Sequence, residues 1–136
     1  MTTARLSRQV VYGKNGMVCT NSPLSAAAGL KVLQEGGNAF DAALAVAATE
    51  TVTMVPMCGI GGDSFILLYE AENSQVTGIS SAGVPGSGTS ADYYRKQGLT
   101  KMPLEGPHSV GVPGEVAAWE EVHNRFCTKP FEELLD

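Results

Sequence analysis

An alanine-rich stretch without a polar face, Ala39 to Thr51, constrains this chain more than any other segment. Asn38 stands at its start as a helix cap, and Asp41 follows at the capping-box position, where its charge also suits the positive end of the helix. A helix that is apolar nearly all the way round has to be buried on several sides. The alanines at positions 39, 42, 43, 45, 47 and 48 let neighbouring backbones come close. Pro56 ends the element. A glycine loop, Cys58-Gly59-Ile60-Gly61-Gly62-Asp63, then feeds the hydrophobic run Ser64-Phe65-Ile66-Leu67-Leu68-Tyr69.

Other elements fall around this pair. Met17 to Thr20 reads as a short buried strand. Ser22-Pro23 is a cap followed by proline at the first helical position, opening a helix that runs to Glu35 and stops at Gly36-Gly37. Ser64–Tyr69, apolar at every position but its first, predicts a central strand covered on both faces, and Gln75–Ser80 returns as its antiparallel partner. After a Gly/Pro/Ser loop at 83–90 comes a short helix, Ala91 to Gln97, stopped by Gly98. His108 to Val112 predicts a third core strand. Glu115 to Phe126 predicts an amphipathic helix with Val116, Trp119, Val122 and Phe126 on one face. A last helix opens at Pro130 and the chain stops at Asp136 after barely two turns, which leads us to expect a fragment. The fold class is α/β (α+β).

Composition excludes several functions. A net charge of −5 leaves no basic stripe for nucleic acid. The longest unbroken apolar run, Ala42 to Ala48, is too short to span a bilayer, and Met1 to Gln9 has neither the apolar core of a signal peptide nor that of an anchor. A cytoplasmic location is the default expectation. Cys19, Cys58 and Cys127 are odd in number and far apart, so reduced thiols are expected rather than a disulfide framework.

Few residues suggest chemistry by themselves. The glycine loop follows a helix and opens a strand, the reverse of a dinucleotide fingerprint, so it reads as a tight turn whose glycines permit positive φ and close packing. Cys58 would need a base to act as a nucleophile, and His108 and His123 are the only histidines. The cysteines and histidines lack the close spacing of a zinc site, so no metal or cofactor is implied. Asp41, Glu50 and Asp63 are candidate acid/base carboxylates, although Asp41 is explained as a helix start and Asp63 as a turn residue. Tyr93, Tyr94 and Trp119 read as packing residues.

Five blocks in order resemble the start of the large subunit of γ-glutamyltranspeptidases (glutathione hydrolases), in the N-terminal nucleophile hydrolase superfamily. They are Gly16-Met17-Val18, Ser22-Pro23-Leu24-Ser25, Gly36-Gly37-Asn38-Ala39-Phe40-Asp41-Ala42-Ala43, Gly59-Ile60-Gly61-Gly62-Asp63-Ser64-Phe65 and His108-Ser109-Val110-Gly111-Val112-Pro113-Gly114. The resemblance implies that residues 1–136 are the N-terminal segment of the large subunit of such a precursor, part of a truncated four-layer αββα sandwich. It implies a small subunit of the same precursor as partner and a small amide or γ-glutamyl substrate. It also implies a threonine nucleophile located beyond Asp136, so this segment alone is expected to be inactive.

One departure concerns substrate. In the family an arginine after the second strand of this hairpin pairs with the α-carboxylate of the γ-glutamyl group. Aligning on Val84-Pro85 puts Ser81 there. A serine hydroxyl offers one neutral hydrogen bond where a guanidinium offers a bidentate, charged one. Arg95, on the next helix, is the nearest alternative cation. Three readings stay open: a γ-glutamyltransferase, a related acylase or amidohydrolase with another substrate, and a scaffold without a catalytic half.

Overall fold

A computed structural model describes residues 10–136. The Met1–Gln9 reading lies outside the described residues. The chain is α+β: helices α1 (Pro23–Gln34) and α2 (Ala39–Thr53), the hairpin β1 (Phe65–Glu70) and β2 (Gln75–Ser80), then α3 (Ala91–Lys96), α4 (Glu115–Phe126) and α5 (Phe131–Leu135). The hairpin is antiparallel, with Phe65 opposite Ser80 and Glu70 opposite Gln75. Ser74, at φ 57°, turns it.

The caps form as the residues dictate. Ser22 accepts from Ser25 N–H and Pro23 opens α1. Gly36, at φ 86°, and Gly98, at φ 80°, take the left-handed conformation that stops α1 and α3. Asn38 Oδ1 accepts from the N–H groups of Phe40 and Asp41, and Asp41 returns the bond to Asn38 N–H at 2.8 Å.

Small residues set the spacing of α1 against α2. A Cβ on Gly29 would lie 2.6 Å from Val46 Cγ2, so only glycine lets the two helices meet there. The core is Val32, Ala42, Leu44, Ala45, Trp119 and Leu134, with Leu33, Ala47, Ala48, Cys127 and Phe131 packed on it. Helix α2 therefore lies between α1 on one flank and α4 and α5 on the other. Its apolar circumference is covered on two sides and not all round, because Ala43 is exposed and Val46 half-buried.

Asp41 does more than begin a helix. Its side chain is fully buried, and besides Asn38 it accepts from Thr128 N–H at 2.9 Å, Thr128 Oγ1–H at 2.7 Å and Lys129 N–H at 3.1 Å. Asn38 Nδ2 donates to the Phe126 carbonyl at 2.7 Å, and the Phe40 and Phe126 rings lie 5.2 Å apart. The start of α2 is thereby tied to the α4–α5 connection. Burial acts to raise the Asp41 pKa, but the bonds from the Thr128 side chain and from the backbone of Asn38, Lys129 and Thr128 outweigh it, and the carboxyl is held below its ordinary value. Cys127 sits beside it. Burial first, then the Asp41 charge and a hydrogen bond to that carboxylate, push this thiol up to about 12.

Three expectations are corrected. Met17–Thr20 is not a strand: among the described residues no strand pairs with it, and Val18 instead packs toward α1 at Gly29. His108–Val112 is not a core strand either; Pro107–Ser109 is a 3-10 turn, and Val110 and Val112 are exposed. The third concerns β1, which is covered on one face only. Ile66 and Leu68 point to α2 and α4, whereas Phe65 and Leu67 are each 78% exposed, because a single helical layer backs a two-stranded ribbon. On α4, Trp119 and Val122 are buried as expected, and Val116 is not.

Asp41→Ala should destabilise the intact protein by roughly 3–5 kcal/mol, since four donors lose a charged acceptor, measurable as a lower urea midpoint. Because the native carboxyl has a depressed pKa, its stabilisation is present above the ordinary aspartate range and is lost as pH falls through the native value. The wild-type midpoint should therefore decline from about pH 4 downward, and Asp41→Asn should flatten that decline. In the folded protein, iodoacetamide at mildly alkaline pH should label exposed Cys19 and spare Cys127, as read by peptide mass spectrometry.

Candidate functional site

The glycine loop, the end of β2 and the start of α4 converge on one knot of hydrogen bonds. Gly62 N–H donates to the Gly59 carbonyl at 2.9 Å, closing a turn. The Gly62 carbonyl then accepts from Gly114 N–H at 3.0 Å and Glu115 N–H at 3.1 Å, docking the first turn of α4 on the loop. None of Gly59, Gly61 and Gly62 has positive φ, which corrects the expectation that conformational freedom explains them. The Gly62 N–H and carbonyl are thus both engaged inside the chain.

Ser81 extends the hairpin by one rung. Its N–H donates to the Ser64 carbonyl at 3.0 Å, and its Oγ accepts from Ser64 N–H at 2.7 Å. The same hydroxyl lies 3.2 Å from the Ser64 carbonyl as a donor. Ser64 Oγ in turn donates to Glu115 Oε2, and Trp119 Nε1 donates to Glu115 Oε1 at 2.7 Å. Residues 81–83 pass so close to 112–114 that a Cβ on Gly83 would overlap Val112 and one on Gly114 would overlap the Ser81 carbonyl.

Beside this knot lies a cleft of about 300 Å3, lined by Ala47, Glu50, Thr51, Met57, Cys58, Gly59, Gly62, Asp63, Ser64 and Glu115. It brings together three residues singled out from the sequence, Glu50, Cys58 and Asp63, with Ser81 joined through Ser64. Glu50 accepts a hydrogen bond from the Thr20 hydroxyl. No histidine lines the cleft, so Cys58 has no imidazole base there. His108 packs edge-on against Tyr94, and His123 lies against Phe131 with Nε2 2.9 Å from the Lys129 carbonyl. Arg95 is exposed on α3 and pairs with Asp92 at 3.1 Å. Asp41 is a structural staple away from the cleft.

Ser64 and Glu115 are the participants that sequence reasoning missed. An acidic residue in a first helical turn already has a sufficient explanation in the helix dipole, which hides a second role. Among the described residues, no group of three or more His, Cys, Asp and Glu could hold a metal ion, and no helix is long and apolar enough to cross a membrane.

Residues 25–136, which include the whole knot, match the family described as gamma-glutamyltranspeptidase. The chain belongs to the γ-glutamyltranspeptidase family. It is 34% identical over 132 residues to the glutathione hydrolase proenzyme of Bacillus subtilis (strain 168), covering 94% of this chain and 22% of that one. It is 39% identical over 133 residues to the acylase ACY 1 proenzyme of Pseudomonas sp. (strain SE83), covering 90% and 24%. Its fold matches the crystal structure of cephalosporin acylase from Bacillus halodurans with a TM-score of 0.85 and 36% identity, over 99% of this chain and 25% of that one. The family is one of enzymes, and its named members include both hydrolases and acylases. This chain spans less than a quarter of the length of the two curated relatives.

Gly114→Ala should cost roughly 1–3 kcal/mol, the scale of overpacking at a closed contact. Gly111, which has open space around its Cα, is the control: Gly111→Ala should change stability by well under about 1 kcal/mol. Thermal denaturation of the two variants compares them directly.

Proposed function

We propose that this chain is the N-terminal segment of the large subunit of a self-cleaving amidase precursor whose acyl substrate is not γ-glutamyl. The observation that carries the substrate reading is the state of Ser81. Its hydroxyl is engaged with the Ser64 backbone, and among the described residues the adjoining cleft is lined by Glu50, Asp63 and Glu115 with no lysine or arginine. An α-carboxylate brought to this wall would meet three carboxyl groups and no cation. A neutral or amine-bearing acyl group would meet no such repulsion.

The relatives named as acylases support this choice, and those named as proenzymes support cleavage into subunits. In this reading the complete enzyme uses a threonine nucleophile outside residues 1–136 of this chain. Its own α-amine serves as base, and an oxyanion hole steadies the tetrahedral intermediate before water takes the acyl group. The segment described here supplies scaffold and one wall of the substrate site. Its partner is the small subunit of the same precursor. The exposed apolar side of β1, formed by Phe65, Leu67 and Tyr69, supports a second sheet layer there, as in a four-layer αββα sandwich.

A γ-glutamyl substrate remains the second reading, favoured by the similarity to the glutathione hydrolase of Bacillus subtilis. The deciding experiment measures kcat/KM of the intact enzyme on a γ-glutamyl anilide and on simple acyl anilides, with and without Ser81→Arg. The wild type should prefer the simple acyl substrate. The variant should gain about tenfold or more on the γ-glutamyl one, given the gap between charged and neutral hydrogen bonds. A wild type that already prefers γ-glutamyl, with no gain from arginine, would overturn the substrate assignment.

A further inference from the structure

We infer that Glu115 is a positioning residue: through the Ser64 hydroxyl it fixes the strand entrance against which Ser81 is set, and so holds the substrate wall in place. This rests on the reading of Ser81 as part of that wall.

The ordinary explanation of Glu115 is a carboxylate at a helix start, favoured by the dipole. That account leaves its side-chain partners unexplained. One oxygen takes a hydroxyl proton from Ser64, a residue 51 positions earlier in the chain, and the other takes the Trp119 indole N–H. The backbone of the same residue is bonded to the Gly62 carbonyl. Glu115 therefore grips the end of the glycine loop with both its main chain and its side chain, and Trp119, which is buried, braces the carboxylate from below.

The next link is Ser64 itself. Its N–H and carbonyl are the two groups that Ser81 bonds, so a shift of Ser64 moves Ser81 with it. On the far side, the Ser81 carbonyl rests against Gly114, the residue before Glu115. The four segments form a closed ring: Glu115 to Ser64, Ser64 to Ser81, Ser81 to Gly114, and Gly114 back to Glu115. A ring of hydrogen bonds and close contacts holds position better than a chain open at one end, because no member can move without breaking two contacts. Ser64 and Glu115 also line the cleft directly.

The experiment is a double-mutant cycle on the intact enzyme with Ser64→Ala, Glu115→Gln and the pair together, using the acyl amide that the wild type cleaves best. Each single change should raise KM about tenfold, the scale of one charge-assisted hydrogen bond, with kcat within about twofold. The double variant should be no worse than the poorer single one, since both changes break the same link. In parallel, hydrogen exchange read on peptides covering 62–66 and 79–83 should accelerate at positions 64 and 81 in both single variants. This second arm needs no substrate. If Ser81→Arg alters selectivity while the Glu115 and Ser64 variants leave KM and exchange unchanged, the positioning role is wrong and the substrate reading stands. If exchange accelerates but no Ser81 variant affects any amide substrate, the ring is right and the substrate reading is wrong. Additive effects in the cycle, or lowered thermal stability with unaltered exchange at 64 and 81, would reduce Glu115 to a merely structural carboxylate.

Discussion

A single buried carboxylate, Asp41, joins parts of the chain that are far apart in sequence. Among the described residues no salt bridge reaches it, and it stays ionised because four hydrogen-bond donors converge on it: the Asn38, Thr128 and Lys129 N–H groups and the Thr128 hydroxyl. Each of these donors would be costly to bury without a partner, so the carboxylate and the turn at 126–129 are mutually required. The start of α2 and the end of α4 are set by that exchange. Cys127, next to the same charge, is kept a thiol by its surroundings and serves as packing.

Glu115 does the comparable work at the opposite end of α4. One acid holds the C-terminal end of that helix to α2, and the other holds its N-terminal end to the glycine loop and the hairpin. With Trp119 and Val122 buried between these two anchors, α4 becomes the rigid element that relates the helical layer to the hairpin. The cleft lies where the second anchor meets the end of α2. Its carboxylate lining follows from that placement, because Glu50 comes from α2, Asp63 from the loop and Glu115 from α4. Three acidic side chains from three different elements thus meet in one cleft.

Much of the helical layer was legible in the residues. Asn38 and Asp41 form the expected capping box, Gly36 and Gly98 stop their helices at positive φ, and Ser22-Pro23 opens α1. These are local devices, complete within a few residues, so the sequence carries all the information they need. The strands were legible as strands but not as to burial. Phe65 and Leu67 are as apolar as Ile66 and Leu68, and only the layer beneath the ribbon separates exposed from covered. Met17–Thr20 and His108–Val112 have strand-like composition, yet they form no ladder because a strand requires a partner that local sequence does not supply.

The candidate site divides along the same line. The glycine loop and the run into α4 were visible as blocks in order, and the family they resembled is the one that matches residues 25–136. Aligning on Val84-Pro85 singled out Ser81 but said nothing of its bonds to Ser64. What tertiary structure alone decided is which side chains share work: Asp41 with Thr128, Ser64 with Glu115, and Ser81 with Ser64, rather than Cys58 with a histidine. Two of these three pairings join residues 51 or more positions apart. Such partners leave no periodic trace in the sequence, because hydrogen bonding between them depends on where whole elements dock and not on the spacing of residues along the chain.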